Sequence, residues 1–340
     1  MANKVTKYLL FLTKDYSYPI LNPLYNFINK NGCSEVFWFS TNNQHFGTNK
    51  NIWFETNNEV MKYNPDVIFA PGNIVPFHWP GLKVQIFHGL GEEKHGHYRL
   101  NGLFDMYCTP GPFITDKFKN KNKNGKYIIR ETGWPKLDVI TNRENFISSI
   151  FGNDFPTILY APTFSKKLTS AFKLFDVIKS LQKLNYNWLV KFHELMDTSL
   201  VKQYEMLESD NFRIVTDHNI LQNMSESNVL LTDTSSVAYE YLLFDKPIIT
   251  FNAKTRVDKG INIFSSLDLE GAIIRALNNP DEFKENRLFY RDELHPYNDS
   301  KSSERILNAV SNILKNGQSS KSKFNINDIL NRWKTRQLVS

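Results

Sequence analysis

The sequence predicts an α/β protein made of two Rossmann-like domains, each carrying a parallel sheet, facing one another across a cleft. Three observations lead there. The chain has 340 residues, more than the ~100–200 of one ordinary domain. Short apolar runs rich in β-branched and aromatic residues alternate with longer amphipathic stretches. The strand-like runs are apolar almost throughout, as in parallel sheets covered on both faces. A composition of 41% hydrophobic, 22% charged and 14% aromatic residues excludes disordered and collagen-like chains.

In the first half, strands are expected at Tyr8–Thr13, Val36–Ser40, Asp66–Ala70, Lys83–His88, Asp105–Thr109 and Tyr127–Glu131. Pro23–Lys30 reads as a helix with proline in its first turn. The basic run Asp116–Lys126 reads as a solvated loop. In the second half, strands fall at Thr157–Ala161, Trp188–Phe192, Phe212–Val215, Val229–Thr232 and Pro247–Phe251. Helical periods occupy Ser170–Leu184, Ser199–Ser209 and Ser236–Phe244. Turn residues in FGNDFP mark the join, dividing the chain into residues 1–150, 151–316 and a basic tail 317–340.

Cys33 and Cys108 are the only cysteines and form no CxxC, so two thiols in a reducing compartment are expected rather than a disulfide or zinc site. No HExxH-like spacing joins the histidines, so no metal site is expected. No stretch approaches the ~18 apolar residues of a membrane span, and a cytoplasmic protein is expected. The formal net charge of +6 is concentrated in the tail and in Asp116–Lys126. Neither cluster interleaves aromatics as RNA-binding surfaces do, so no nucleic acid is expected. Anionic small molecules or anionic lipid are the better partners. Dinucleotide and P-loop fingerprints are missing.

Four stretches carry chemistry. In LLTDTSSVAYEYLLFDKPIITF, residues 230–251, an apolar strand ends at Asp233 and a hydroxyl cluster, Thr234, Ser235 and Ser236, precedes a helix. Ligands of open α/β sheets bind outside the carboxyl ends of strands, and N–H groups at a helix start suit phosphate. Serines there also serve simply as helix caps. KVQIFHGLGEEKHG, residues 83–96, ends a strand at His88, the residue type that most often acts as general base. WLVKFHE repeats the arrangement with His193. ILYAPTF, residues 158–164, runs from a strand into a Pro-Thr loop.

Taken in order, these stretches resemble the signatures of the CDP-glycerol glycerophosphotransferase family, the teichoic-acid and capsule polyol-phosphate transferases. VQIFHGLGEEK, ETGWPKLD, ILYAPTF, VKFHE, LLTDTSSVAYEYLLFDKPIITF and YNDSKSSERI match six family motifs in sequence order. SYPILNPLYNFI is similar to the family's N-terminal helix. The resemblance implies a GT-B-like fold with an acceptor domain, a CDP-donor domain and no cofactor beyond the CDP-linked donor. It implies transfer of a polyol phosphate, glycerol phosphate above all, to a cell-surface glycan or lipid-linked acceptor, with CMP leaving. It further implies His88 as general base and His193 on the phosphates. Thr163, Asp233, Thr234, Ser235, Ser236, Ser303 and Arg305 would lie on the donor, and Gly89, Lys94 and Lys246 would contact substrate.

The chain departs from the family pattern in places. Leu90 stands for a hydroxyl residue, Phe164-Ser165 for a Trp-Arg pair, Thr234 for Tyr, and Glu194 for Pro after the second histidine. These departures leave open a GT-B nucleotide-sugar glycosyltransferase of capsule or lipopolysaccharide synthesis, or a hydrolysing epimerase on the same fold. In the tail, Ile326–Val339 reads as a basic amphipathic helix, fitted to the inner membrane surface or to packing back on the N-terminal domain.

Overall fold

The computed structural model of the protein describes residues 5–32, 34–42, 45–47, 49–91, 98–140, 150–216, 220–317, 332, 333 and 335. It separates into two compact units. The first comprises Met1–Gly89, His95–Asn142 and Glu293–Ser340, and the second Leu90–Lys94 and Arg143–Asp292.

Unit one begins with β1 (Thr6–Leu12), α1 (Tyr18–Lys30), β2 (Ser34–Ser40), β3 (Trp53–Phe54) and α2 (Asn57–Tyr63). It continues with β4 (Val67–Ala70), β5 (Leu82–Ile86), β6 (Met106–Thr109), α3 (Pro112–Lys121) and β7 (Ile128–Glu131). All pairings are parallel, in the order β3-β2-β1-β4-β5-β6-β7. Leu9 of β1 stands between Phe37 of β2 and Ile68 of β4. The apolar strands are buried because helices cover the sheet, and Leu9, Phe11, Ile68, Trp79, Phe87, Tyr107 and Phe118 share one cluster. Each such side chain contributes ~1.5–3 kcal/mol on leaving water. All six strands expected here form. The strand β3 went unrecognised because two residues show no periodicity. The helix α1 starts before Pro23, with Pro19 in its first turn and Pro23 inside it. Much of the expected loop Asp116–Lys126 is helical instead. Ile114, Thr115 and Phe118 form the buried stripe of α3, and the lysines lie off that stripe.

Unit two runs β8 (Thr157–Tyr160), α4 (Ala171–Leu181), β9 (Asn187–Val190), α5 (Thr198–Glu205), β10 (Phe212–Ile214) and α6 (Leu221–Glu226). It continues through β11 (Val229–Thr232), α7 (Val237–Tyr241), β12 (Ile248–Phe251), β13 (Ile261–Ile263), α8 (Leu269–Asn278) and α9 (Lys284–Leu294), which reaches the unit boundary. The parallel order is β10-β9-β8-β11-β12-β13. Ile158, Trp188, Leu231 and Ile249 pack with Leu174, Ile178 and Ile273 in its core. The sequence reading missed β13, a three-residue edge strand with Asn262 at its centre.

The helix α10 (Ser302–Asn316) packs against α1 and the turn Pro135–Val139. The expected division at residues 151–316 is therefore corrected, since Glu293 onward belongs with unit one. In the tail, the Arg332 guanidinium lies 3.8 Å from the Phe77 ring and donates to the Gly102 carbonyl. Thr335 is buried and accepts the Phe77 N–H, while Trp333 is 63% exposed. The rest of Ile326–Val339 lies outside the described residues, as does Cys33; Cys108 is buried. Among the described residues, no helix is long and apolar enough to cross a membrane.

Candidate functional site

In unit two the strand order reverses between β8 and β11. Chain connections leave those two strands in opposite directions, which opens a crevice at their carboxyl ends. The loops that follow β8 and β11 are those holding Thr163 and residues 233–236. Asp233 ties them together. Its carboxylate accepts the N–H of Thr163 at 2.9 Å and both the N–H and hydroxyl of Ser170, at 2.8 and 2.9 Å. Asp233 is only 1% exposed. Burial pushes its pKa above the ordinary carboxylate value, and hydrogen bonds from Ser170 and Thr163 act in the opposite direction. Ser170 also meets the Tyr160 hydroxyl at 2.8 Å, extending the buried network.

Thr234, Ser235 and Ser236 are half-buried. Ser235 Oγ faces the Val237 N–H at 3.5 Å, in the manner of a helix cap. Gly91 belongs to this unit and is buried. A Cβ added to it would stand 2.9 Å from Ser236 Cβ, so only glycine allows this approach.

His193 follows β9 and is exposed. Its Nδ1 accepts the Leu195 N–H at 3.1 Å, which puts the proton of the neutral ring on Nε2. The Phe164 ring lies 4.3 Å from the imidazole, centroid to centroid. The group His193 presents is thus an N–H donor, the character a phosphate oxygen requires.

Unit one reverses its strand order between β1 and β4. His88 stands next to that point, two residues beyond β5. Its Nδ1 donates to the Pro71 carbonyl at 2.9 Å, just after β4. The neutral ring then carries its lone pair on Nε2, the tautomer of a general base. Tyr16, which follows β1, lies 6.4 Å from the imidazole centroid. Gly89 is buried, and Leu90 is fully buried, so the position of the family's hydroxyl residue is an apolar anchor here. Lys94 lies outside the described residues.

Three further expected residues have partners within the protein. The Lys246 ammonium donates to the carbonyls of Met224 (3.2 Å), Ser225 and Ser227 (2.7 Å). It closes the carboxyl end of α6, where carbonyls lack helical partners. Ser303 and Arg305 lie in unit one. The N–H groups of Ser302 and Ser303 donate to the two Asp138 oxygens at 3.0 Å each, and the Ser303 hydroxyl joins them at 3.1 Å. Asp138 thereby caps α10. Arg305 donates to the Thr132 carbonyl at 2.8 Å, forks onto Asp299, and stacks 4.1 Å from the Tyr297 ring centroid. Two motifs distant in sequence, ETGWPKLD and NDSKSSERI, are thus halves of one structural lock.

Sequence reasoning passed over Ser170, Gly91, Pro71 and His295. The first three matter through tertiary partners, and nothing local distinguishes them. His295 is buried and accepts the Trp134 N–H at 3.1 Å. Burial, with Arg305 nearby, pulls its pKa down to about 4. The described residues contain no group of three or more His, Cys, Asp or Glu arranged to hold a metal ion.

Residues 91–261 match the model of the CDP-glycerol:poly(glycerophosphate) glycerophosphotransferase family. That span includes Gly91, Thr163, His193 and Asp233–Ser236 and leaves out His88, Ser303 and Arg305. The teichoic acid glycerol-phosphate primase of Bacillus subtilis is 27% identical over 172 residues, 46% of this chain and 44% of the primase. The teichoic acid ribitol-phosphate polymerase TarL of Staphylococcus aureus is 29% identical over 233 residues, 58% of this chain and 39% of the polymerase. The chain spans less than half the length of either relative. The wall teichoic acid polymerase TagF superposes with a TM-score of 0.70 at 16% identity, covering 92% of this chain and 89% of that one. A UDP-N-acetylglucosamine 2-epimerase superposes with a TM-score of 0.61 at 14% identity, covering 95% and 100%. The fold is α/β with two parallel sheets, GT-B-like. With half its length matched by the family model, the chain belongs to the CDP-glycerol:poly(glycerophosphate) glycerophosphotransferase family.

Proposed function

We propose that the protein transfers a polyol phosphate, glycerol phosphate first among the candidates, from a CDP-linked donor to a hydroxyl of a cell-surface glycan or lipid-linked acceptor. The supporting observation is the seating of Gly91 against Ser236. The stretch that seats Gly91 also carries the candidate base, His88, in sequence.

In this reading the donor diphosphate lies against Thr163, Thr234, Ser235 and Ser236, whose loops Asp233 pins, and the His193 N–H donates to a phosphate oxygen. His88 Nε2 takes the proton of the acceptor hydroxyl. The acceptor oxygen bonds to the β-phosphorus, the bond from that phosphorus to the bridging oxygen breaks, and CMP leaves with the bridging oxygen. Alignment and neutralisation of developing charge supply most of the rate of such transfers. The product carries a phosphodiester, and repeated transfer makes a linear anionic chain.

The test is CMP release from CDP-glycerol and CDP-ribitol by the purified chain, with and without a short polyol-phosphate acceptor, and with and without EDTA. Acceptor-dependent CMP release is expected, and His88→Ala should lower it by ~10²–10⁴-fold, the usual worth of a general base. Turnover of a nucleotide sugar without CMP from either donor would overturn the proposal in favour of the glycosyltransferase.

A further inference from the structure

We propose that the basic face formed by α3, the turn after it and the edge strand β7 binds the linear polyol-phosphate chain along its phosphodiesters. The inference rests on the transfer reaction proposed above.

Between Asp116 and Arg130 stand Lys117, Lys119, Lys121, Lys123, Lys126 and Arg130, with Asp116 the only carboxylate. Their helix and strand border an open groove of about 340 Å³ lined by Lys119, Asn122, Tyr127, Ile128, Ile129 and Arg130. The groove is pre-shaped. The Asn122 amide donates to the Tyr127 carbonyl at 2.8 Å and accepts the Tyr127 N–H at 3.1 Å, closing the turn. Gly125 supplies its left-handed residue, at φ +59°.

Half of the cations are held in advance. The Lys117 ammonium lies 4.1 Å from the Phe113 ring centroid and 4.8 Å from that of Tyr98. Lys121 donates to the Tyr98 carbonyl at 2.8 Å, and Lys126 stands 5.0 Å from the Tyr127 ring centroid. Ordering these side chains beforehand removes part of the entropy cost of binding. Lys119, Lys123 and Arg130 are exposed. Among the described residues β7 pairs with β6 alone and ends the sheet, and Arg130 lies along that edge, donating to the Ile129 carbonyl at 3.1 Å.

Two features select the ligand. Nucleic acid binding in single strands relies on aromatic faces open to bases, whereas Tyr98 is buried and lysines cover Tyr98, Phe113 and Tyr127. Interfacial membrane binding relies on apolar side chains that insert, and none of the exposed large hydrophobic residues falls between residues 98 and 131. A row of cations with Tyr98 buried, lysines over the half-buried Phe113 and Tyr127, and no exposed large hydrophobic side chain matches a flexible chain of phosphodiesters.

The test is fluorescence anisotropy of labelled poly(glycerol phosphate) with the full chain, across rising sodium chloride, for wild type and the triple variant Lys119→Glu, Lys123→Glu, Arg130→Glu. Wild type should bind with an affinity that falls steeply with salt, and the variant should bind ~10-fold more weakly or worse, as loss of several phosphate contacts implies. With a short acceptor the variant should keep the wild-type rate, while its KM for the polymer rises. Equal polymer binding by a variant with unchanged melting temperature overturns the proposal. So does binding to phosphatidylglycerol vesicles without binding to the soluble polymer, which would assign the face to the membrane. Because binding is read without turnover, absence of CMP release would sink the reaction and leave this measurement standing, and the reverse outcome would do the opposite.

Discussion

Asp233 and Ser170 are joined twice, the backbone N–H and the hydroxyl of Ser170 both donating to one carboxylate oxygen. Sixty-three residues separate them in sequence. The contact makes the loops after β8 and β11 a single rigid floor at the strand-order reversal. Asp233→Ala would strand the N–H groups of Thr163 and Ser170, at a cost of about 3 kcal/mol. Asp233→Asn keeps one acceptor and should cost less. Urea denaturation of both variants checks the order, and donor KM should rise in parallel.

Gly91→Ala forces a Cβ onto Ser236. Overpacking of this kind costs ~1–3 kcal/mol, and here it should raise donor KM. Ser236→Gly should weaken donor binding by itself, and it removes the opposing Cβ. In that background Gly91→Ala should have almost no further effect. Equal effects in both backgrounds would show that the contact does not shape the site.

Lys246→Met removes the donor from three carbonyls at the end of α6. The protein should lose about 2 kcal/mol of stability with donor KM unchanged. A raised KM at an unchanged melting temperature would restore Lys246 to the substrate.

His295 produces an acid-labile stability. Its pKa in the folded protein is about 4 against an ordinary 6.5. Between those values the unfolded chain binds the extra proton, so stability present above pH 6.5 is lost as pH falls towards 4. The loss approaches about 3 kcal/mol. His295→Gln, which can still accept the Trp134 N–H, should flatten that part of the profile. The midpoint of urea unfolding against pH measures it.

Much of this was legible in the residues. Strands such as β1 and β11 announce themselves because a buried parallel strand has to be apolar on both faces. His88, His193 and the serine cluster stood out because each ends such a strand. Ser303, Arg305 and Lys246 stood out for a related reason. Hydroxyls and cations beside a helix end look alike in sequence whether they meet a phosphate, a carboxylate such as Asp138 or a row of carbonyls. The lysines of α3 concealed a helix, because its buried stripe is only Ile114, Thr115 and Phe118.

The sequence by itself determined the class of fold, the strand ends that hold the candidate site and the family, because burial and turn chemistry act on neighbouring residues. Tertiary structure decided which of those residues are spent on one another. Strand order set the reversals beside His88 and between Thr163 and Asp233, and it brought Asp138 to the start of α10 and Gly91 to Ser236. Pairings across such separations depend on where the sheets place their strand ends, a property no local window of residues contains.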